Sequence, residues 1–363
     1  MAVSLSQREY TNLPENRLLE LVQFHYGLTV RNVIPFADKW QLETIDGSYT
    51  LSRVTHPDSA YWELIERLLT HIQRSDLQSF PRIVRTHSGK VMFSGFRSRY
   101  VLWQRQHGSR CHWHDPVAWA GIGRTLAKLH VATRDFPLQR TDDKYRAAGN
   151  WQYLWEHAAA RLDAIRTACD LSSERQPVDE LWLDMHTYTV TMIETAHNYL
   201  AQSGGDDSVL SHLSESIIGQ HLLRRKSWGV AANGHYRLLD WEQTVIDIPV
   251  RDLAQMIHLA RGSKQAFRER VSLLLEGYLS IRPLKATEWP LLYARLLFPE
   301  PMVQTVRAIY DQRHMPKSDD AVSLRRAMKE QRRREWHLRL LPMIFQEVAS
   351  VTIPPVDWLH TLD

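Results

Sequence analysis

The chain has 363 residues, 44% hydrophobic and 24% charged, with a formal net charge of +4 and a pI near 9.0. That length is enough for two domains or one two-lobed unit with a substantial core. No apolar run approaches the ~20 residues of a membrane span, the N-terminal stretch lacks the ~7–15-residue apolar core of a secretory signal, and the two cysteines, Cys111 and Cys169, support neither a disulfide framework nor a multi-cysteine zinc site.

A soluble globular protein of cytoplasmic synthesis is expected, with reduced thiols. Its mild basicity permits an acidic partner without requiring one. Tryptophan is abundant at 13 residues. Some of these rings must be core, and a surplus of large amphipathic side chains also suits a protein built into an assembly.

In chain order, an amphipathic helix is expected over 18–26, then strands over 30–36 and 40–44. Asp46-Gly47 marks a hairpin turn into a third strand over 49–54. Pro57-Asp58 opens a helix over 59–73, and strands follow at 91–93 and 99–103. Antiparallel strands with one helix after the third make an α+β lobe. Beyond the polar loop 104–110 the periodicity becomes helical, over 117–133, 151–168 and 178–201, broken at Gly204-Gly205-Asp206-Asp207. Further helices are expected at 271–279, 288–297 and 302–312, and a long basic helix at 321–341. The expected domains are 1–104, a small mixed lobe, and 105–363, a large helical one.

The segment from Arg237 to Ile257, RLLDWEQTVIDIPVRDLAQMI, carries the chemistry. It reads as a short buried strand, an acidic turn and the opening of an amphipathic helix. An Asp directly after an apolar strand, as Asp240 is, can hold a divalent metal against nucleotide phosphates. Asp252, at the start of the helix, is expected to cap it and brace a neighbouring loop.

Taken together, these pieces resemble the CotS-type spore coat proteins, nearest to the YutH-like members, a branch of the aminoglycoside and choline kinase-like superfamily. The resemblance rests on WQRQHGSRCHWHDP leading into LAKLH at Leu126 to His130, on Gly149-Asn150-Trp151, on the block containing Asp240 and Asp252, and on EWPLLYARLLFPEPM at Glu288 to Met302. It runs in consistent order over about residues 18–315. It implies a protein-kinase-like two-lobed fold with a small antiparallel-sheet N-lobe and a mainly helical C-lobe.

The resemblance also says where a phosphotransferase site belongs. The N-lobe lysine that steadies nucleotide phosphates falls on Ser52, with Arg53 as its substitute if the strand register slips by one. The catalytic loop, H-[GQ]-D-x4-N in the family, falls on Ile218 to Lys226. His221 then stands at the catalytic Asp and Lys226 at the metal-binding Asn. A neutral His carries no negative charge to orient an acceptor, and a Lys in a metal shell repels the cation. Asp240 is the remaining candidate Mg²⁺ ligand. No glycine lies between Ile34 and Trp40, where a phosphate loop belongs, and Glu63 or Glu66 is the helix carboxylate that would pair with the missing lysine.

The expectation is therefore a catalytically degenerate kinase-like protein, a structural or interaction component of the spore coat. It has no required cofactor, and its partners are other coat proteins. The alternative is a divergent ATP- and Mg²⁺-dependent small-molecule phosphotransferase with His221 as base. Arg224-Arg225-Lys226 reads either as a solvated turn or as an anion site. Cys111-His112-Trp113-His114-Asp115 reads as a helix start more than as a metal site. His130 is expected to be a packed core histidine. The basic helix, carrying Arg325, Arg326, Lys329, Arg332, Arg333, Arg334 and Arg339, is expected to dock on a partial apolar stripe with a solvated basic face. It lacks the aromatic interleaving of a nucleic-acid binder.

Overall fold

The computed structural model describes residues 15–36, 39–74, 80–104, 109–213, 218–220, 223–311 and 318–360. Its elements begin with α1 (Leu18–Tyr26), β1 (Val30–Phe36), β2 (Lys39–Thr44), β3 (Ser48–Arg53) and α2 (Ser59–Ile72). Strands β4 (Arg82–Val84), β5 (Phe93–Ser94), β6 (Arg99–Gln104) and β7 (Ser109–Arg110) follow. Helices α3 (Pro116–Ala132), α4 (Trp151–Leu171), α5 (Pro177–Gln202) and α6 (Gly205–Ser211) lead into β8 (Ile218–Gln220), β9 (Trp228–Val230), β10 (Tyr236–Leu238) and β11 (Thr244–Ile246). The chain closes with α7 (Val250–Leu259), α8 (Lys264–Leu279), α9 (Glu288–Leu297), α10 (Glu300–Tyr310), α11 (Ser318–Leu338), α12 (Leu341–Ala349) and α13 (Asp357–His360).

Two compact units result. One comprises Met1–Cys111, Asp135–Tyr145 and Lys226–Thr244; the other comprises His112–Arg134, Arg146–Arg225 and Val245–Asp363. The sequence reading places a single boundary after residue 104, whereas the first unit takes in two later segments. The reason lies in α2, whose polar side chains are satisfied by them. Arg67 Nη2 donates to both carboxylate oxygens of Asp142 at 2.7 and 2.8 Å, and Tyr61 donates to the carbonyls of Glu242 and Thr244 at 3.2 and 2.7 Å. Asp58 caps α2 through Ala60 N at 3.0 Å and also accepts from Tyr145 at 2.7 Å.

In the first unit a six-stranded sheet runs β1-β2-β3-β6-β4, with β5 also on β6; β7, β9 and β10 form a second, three-stranded sheet. Strand alternation divides the larger sheet. Trp40, Leu42, Leu51, Tyr100 and Leu102 bury one face against Leu18 and Val22 of α1. Trp103 lies on the other face and meets Trp62 of α2 edge to face at 6.2 Å.

In the second unit α3 and α8 touch at backbone distance. A Cβ on Gly123 would stand 2.2 Å from Leu274 O, and one on Gly277 would stand 2.2 Å from Ala120 O. Helix α3 starts as its sequence predicts, with Asp115 accepting from Val117 N at 2.9 Å and Pro116 in the first turn. Gly204 (φ 96°) ends α5, but the rest of the Gly-Gly-Asp-Asp tetrad begins α6 rather than a loop. Its Asp206 accepts from Trp151 N at 2.8 Å and Gln152 N at 3.2 Å, so it caps the neighbouring α4. The tryptophans are accounted for by the core: all but Trp336 and Trp358 are buried. No helix among the described residues is long and apolar enough to cross a membrane.

Candidate functional site

In the first unit, the β2–β3 hairpin decides which side chains meet. Its turn, closed by Thr44 N donating to Gly47 O at 2.9 Å, puts Gly47 at φ 142° and sets the pairing down to Lys39 opposite Ser52. Directly paired residues of antiparallel strands share a face. Ser52 is buried at 1% exposure, and Lys39, one strand over, reaches past it. The Lys39 ammonium lies 2.9 Å from Glu242 and 3.6 Å from Asp240. Sequence reasoning missed Lys39, because only the cross-strand register brings it to these carboxylates.

Asp240 and Glu242 are delivered by the β9–β10 hairpin and held by local packing. Leu239 N donates to Ser227 O at 2.8 Å. Trp241 is buried, with its indole N–H on Leu238 O at 3.1 Å and Phe80 against its ring at 5.8 Å. Tyr61 secures the carbonyls of Glu242 and Thr244, and His56 stacks on Tyr61 at 4.4 Å. Burial holds the Glu242 carboxyl above its ordinary range, opposed by Lys39 and by the Ser52 hydroxyl. The helix carboxylates expected to take a lysine do not: Glu66 pairs with Arg85, and Glu63 is exposed.

A recess of about 380 Å³ opens here, lined by Lys39, Trp40, Ser52, Arg53, Val54, Thr55 and Glu242. Arg53 pairs with Tyr100 on the opposite face from Ser52 and is exposed, yet it borders this recess at the end of its strand. Lys226 is exposed on a 3₁₀ turn, Arg225–Ser227. With the Lys39 ammonium against Asp240 and Glu242, the donor set does not fit a Mg²⁺ held by protein groups alone. Among the described residues no three His, Cys, Asp or Glu side chains converge on a metal position, and the Cys111 to Asp115 run serves as the start of α3.

In the second unit, side chains of α7 hold the backbone on either side of residues 221 and 222. Gln220 N donates to Asp252 Oδ1 at 2.6 Å, Gln220 O accepts from Gln255 at 2.5 Å and Arg251 at 3.2 Å, and Leu223 N donates to Gln255 at 2.7 Å. Arg251, Asp252 and Gln255 occupy one face of α7, and together they satisfy the polar backbone on both sides of residues 221 and 222. His221 itself lies outside the described residues. Asp252 is not a helix cap: α7 begins two residues earlier and has no side-chain cap, so the carboxylate turns to the loop instead. Its other oxygen meets His130 Nε2 at 3.3 Å, while His130 Nδ1 meets Tyr278 OH at 2.8 Å. Burial holds the His130 pKa below its ordinary value, against the pull of Asp252. Asp247, fully buried, accepts from Trp151 Nε1 at 3.1 and 3.0 Å and from Arg251 at 2.8 Å. Side chains of the second unit brace a loop through its backbone, and those of the first place a cation beside a recess lined by one carboxylate, Glu242.

This is the architecture of the kinase-like small-molecule phosphotransferases. An aminoglycoside phosphotransferase from Alicyclobacillus acidocaldarius matches with a TM-score of 0.66 at 17% identity, covering 97% of this chain and 98% of that one. Spectinomycin phosphotransferase APH(9)-Ia matches with a TM-score of 0.60 at 13% identity, over 89% and 99% of the two chains. Within that class the sequence matches the family described as "Spore coat putative kinase YutH" over residues 19–341, and the chain belongs to it. The endospore coat-associated protein YutH of Bacillus subtilis (strain 168) is 28% identical over 296 residues, 78% of this chain and 81% of that protein. A homoserine kinase of Bradyrhizobium sp. (strain ORS 278) is 29% identical over a shorter stretch of 155 residues, 39% of this chain and 44% of that protein.

Proposed function

We propose that this protein is a component of the bacterial spore coat that uses a kinase-like fold as an interaction scaffold, without phosphoryl-transfer turnover. One observation carries the reading: from Ile218 to Leu239 the chain contains no Asp or Glu. Phosphoryl transfer depends on a carboxylate that orients and deprotonates the acceptor and on a metal-binding Asn a few residues later. The α7 clamp on Gln220 and Leu223 supports the register that assigns these places to His221 and Lys226. A fold persists without its chemistry because the packing residues and the reacting residues are different residues. Coat association and coat protein partners are carried over from the family and from the coat-associated relative.

The test is turnover and location. Purified full-length protein, given ATP and Mg²⁺ with a panel of amine and hydroxyl acceptors that includes homoserine, is expected to release ADP at the no-enzyme background. ADP release that disappears in both His221→Ala and Asp240→Ala would overturn the reading in favour of a divergent phosphotransferase. A fluorescent fusion is expected on the spore; diffuse vegetative signal with none on spores removes the coat assignment.

Lys39 favours a second reading, nucleotide binding without turnover. A lysine beside Ser52 and Asp240 supports this reading, because an ammonium there can meet phosphate oxygens whatever its strand of origin. A rise in thermal midpoint with ATP that is lost in Lys39→Met supports this reading by linkage, and no rise removes it.

A further inference from the structure

Arg225 and the basic helix α11, far apart in the chain, meet at the C-terminal end of α7. Arg225 donates to Leu259 O at 3.1 Å and lies over the Trp113 ring at 5.5 Å. Arg270 of α8 donates to Arg261 O. A helix C-terminus carries only about half a negative charge, which offsets a fraction of these two guanidiniums. Three more, Arg261 at 3.3 Å, Arg334 at 3.6 Å and Arg333, converge on one carboxylate, Glu330. Glu300, whose charge also acts on Arg334, is taken by Arg295 at 2.7 Å and Gln304 at 2.7 Å.

The charges acting on Arg225 are those of Arg261, Arg270 and Arg333, all positive. The histidines beside the cluster are neutral. Burial and then Arg333 push His337 down to about 4, and burial and then Arg334 hold His258 well below its ordinary value. Arg333 Nε, Arg334 Nε, Glu330 Oε1 and the Nε2 atoms of both histidines are buried, with no hydrogen-bond partner among the described residues. Guanidiniums therefore outnumber carboxylates in a half-buried space, with polar atoms left to satisfy and like charges held together.

We infer that the cluster formed by Arg225, Arg261, Arg270, Arg333 and Arg334 around Glu330 is a binding site for a small phosphate-type oxyanion. Guanidinium forks match the oxygens of a phosphate group in pairs, and a multiply charged anion supplies the charge that one carboxylate cannot. Size follows from exposure. Arg334 and Glu330 are each 16% exposed, with Arg333 at 35% and Arg261 at 47% toward the rim, so the site takes a compact group and not an extended acidic chain.

The test is a thermal-shift titration of the full chain with inorganic pyrophosphate and with orthophosphate, at ionic strength held constant with sodium chloride. A saturable rise in midpoint at millimolar pyrophosphate is expected. Binding should weaken roughly tenfold in Arg261→Gln and in Arg333→Gln, each of which removes a charged hydrogen-bonding fork. Arg261→Lys and Arg333→Lys, which keep the charge and spare the fold, should weaken it less. Lys39→Met should leave the response unchanged, which separates this site from the recess of the first unit. The inference is overturned by the absence of a saturable rise at tens of millimolar, by equal responses in wild type and the Arg→Gln variants, by loss of the response in Lys39→Met, or by a response to polyglutamate with none to pyrophosphate.

Discussion

Replacing Lys39 by Met removes the cation that Glu242 and Asp240 share. Glu242 keeps 7% of its side chain exposed, against 22% for Lys39 and 25% for Asp240. Deleting one partner of a fully buried pair costs ~3–5 kcal/mol, and an exposed pair contributes under ~1 kcal/mol. This pair lies between those limits, so the expected loss at neutral pH is about 2 kcal/mol, or roughly 4–8 °C in thermal midpoint for a unit of this size. The sign with pH follows from Glu242. Burial raises its folded-state pKa above the ordinary 4.5, and Lys39 restrains that rise. A raised carboxyl contributes stability that is fully present below the unfolded value and lost as pH rises through the folded value. Without Lys39 the folded value climbs further, so Lys39→Met should differ little from wild type near pH 5 and show its full deficit near pH 8. Midpoints by intrinsic fluorescence at the two pH values measure this. Equal deficits at both, or a larger one near pH 5, would refute the pairing of Lys39 with a buried carboxylate.

Gly123→Ala and Gly277→Ala should each destabilise the second unit by about 1–3 kcal/mol in circular dichroism melts, because the added Cβ meets a carbonyl oxygen of the facing helix. In a loosely packed helix the same change stabilises by about 0.5–1 kcal/mol, so the sign alone decides. Asp252→Asn should cost about 1.5–3 kcal/mol and specifically speed hydrogen exchange at the Gln220 amide; a global loss with that amide still protected would contradict the brace. Burial pushes both Cys111 and Cys169 up to about 11, so neither thiol should react with Ellman's reagent in native protein at about pH 8, and both should react once it is unfolded; a fast native reaction would place a thiol at the surface.

Much of the fold is legible in the chain because it is written in local periodicity and punctuation. Asp46-Gly47 announces its hairpin, Asp58 and Asp115-Pro116 announce their helices, and the apolar spacing of 59–73 delivers α2 within a residue or two. Reading fails where local signals are weak or misleading. The Gly-Gly-Asp-Asp tetrad looks like a loop because glycine disfavours helix, yet Asp206 and the packing of α6 outweigh that local preference. Arg333 and Arg334 look like part of a solvated face, but they turn toward Glu330 because α11 buries more of its circumference than its partial apolar stripe implies. Neither Gly123 nor Gly277 carries a signal of its own, since the reason for each is the backbone of the other's helix.

The sequence by itself determined which charges the segment from Ile218 to Leu239 carries. Whether a carboxylate exists between Ile218 and Leu239 is a covalent matter, and no packing can supply one. Only the tertiary structure decided which remaining charges became neighbours. Lys39 faces Glu242 through cross-strand register, and Arg225 joins Arg333 through helix packing. Coulomb interactions depend on distance in space, and residues far apart along a chain acquire that distance only when the fold closes.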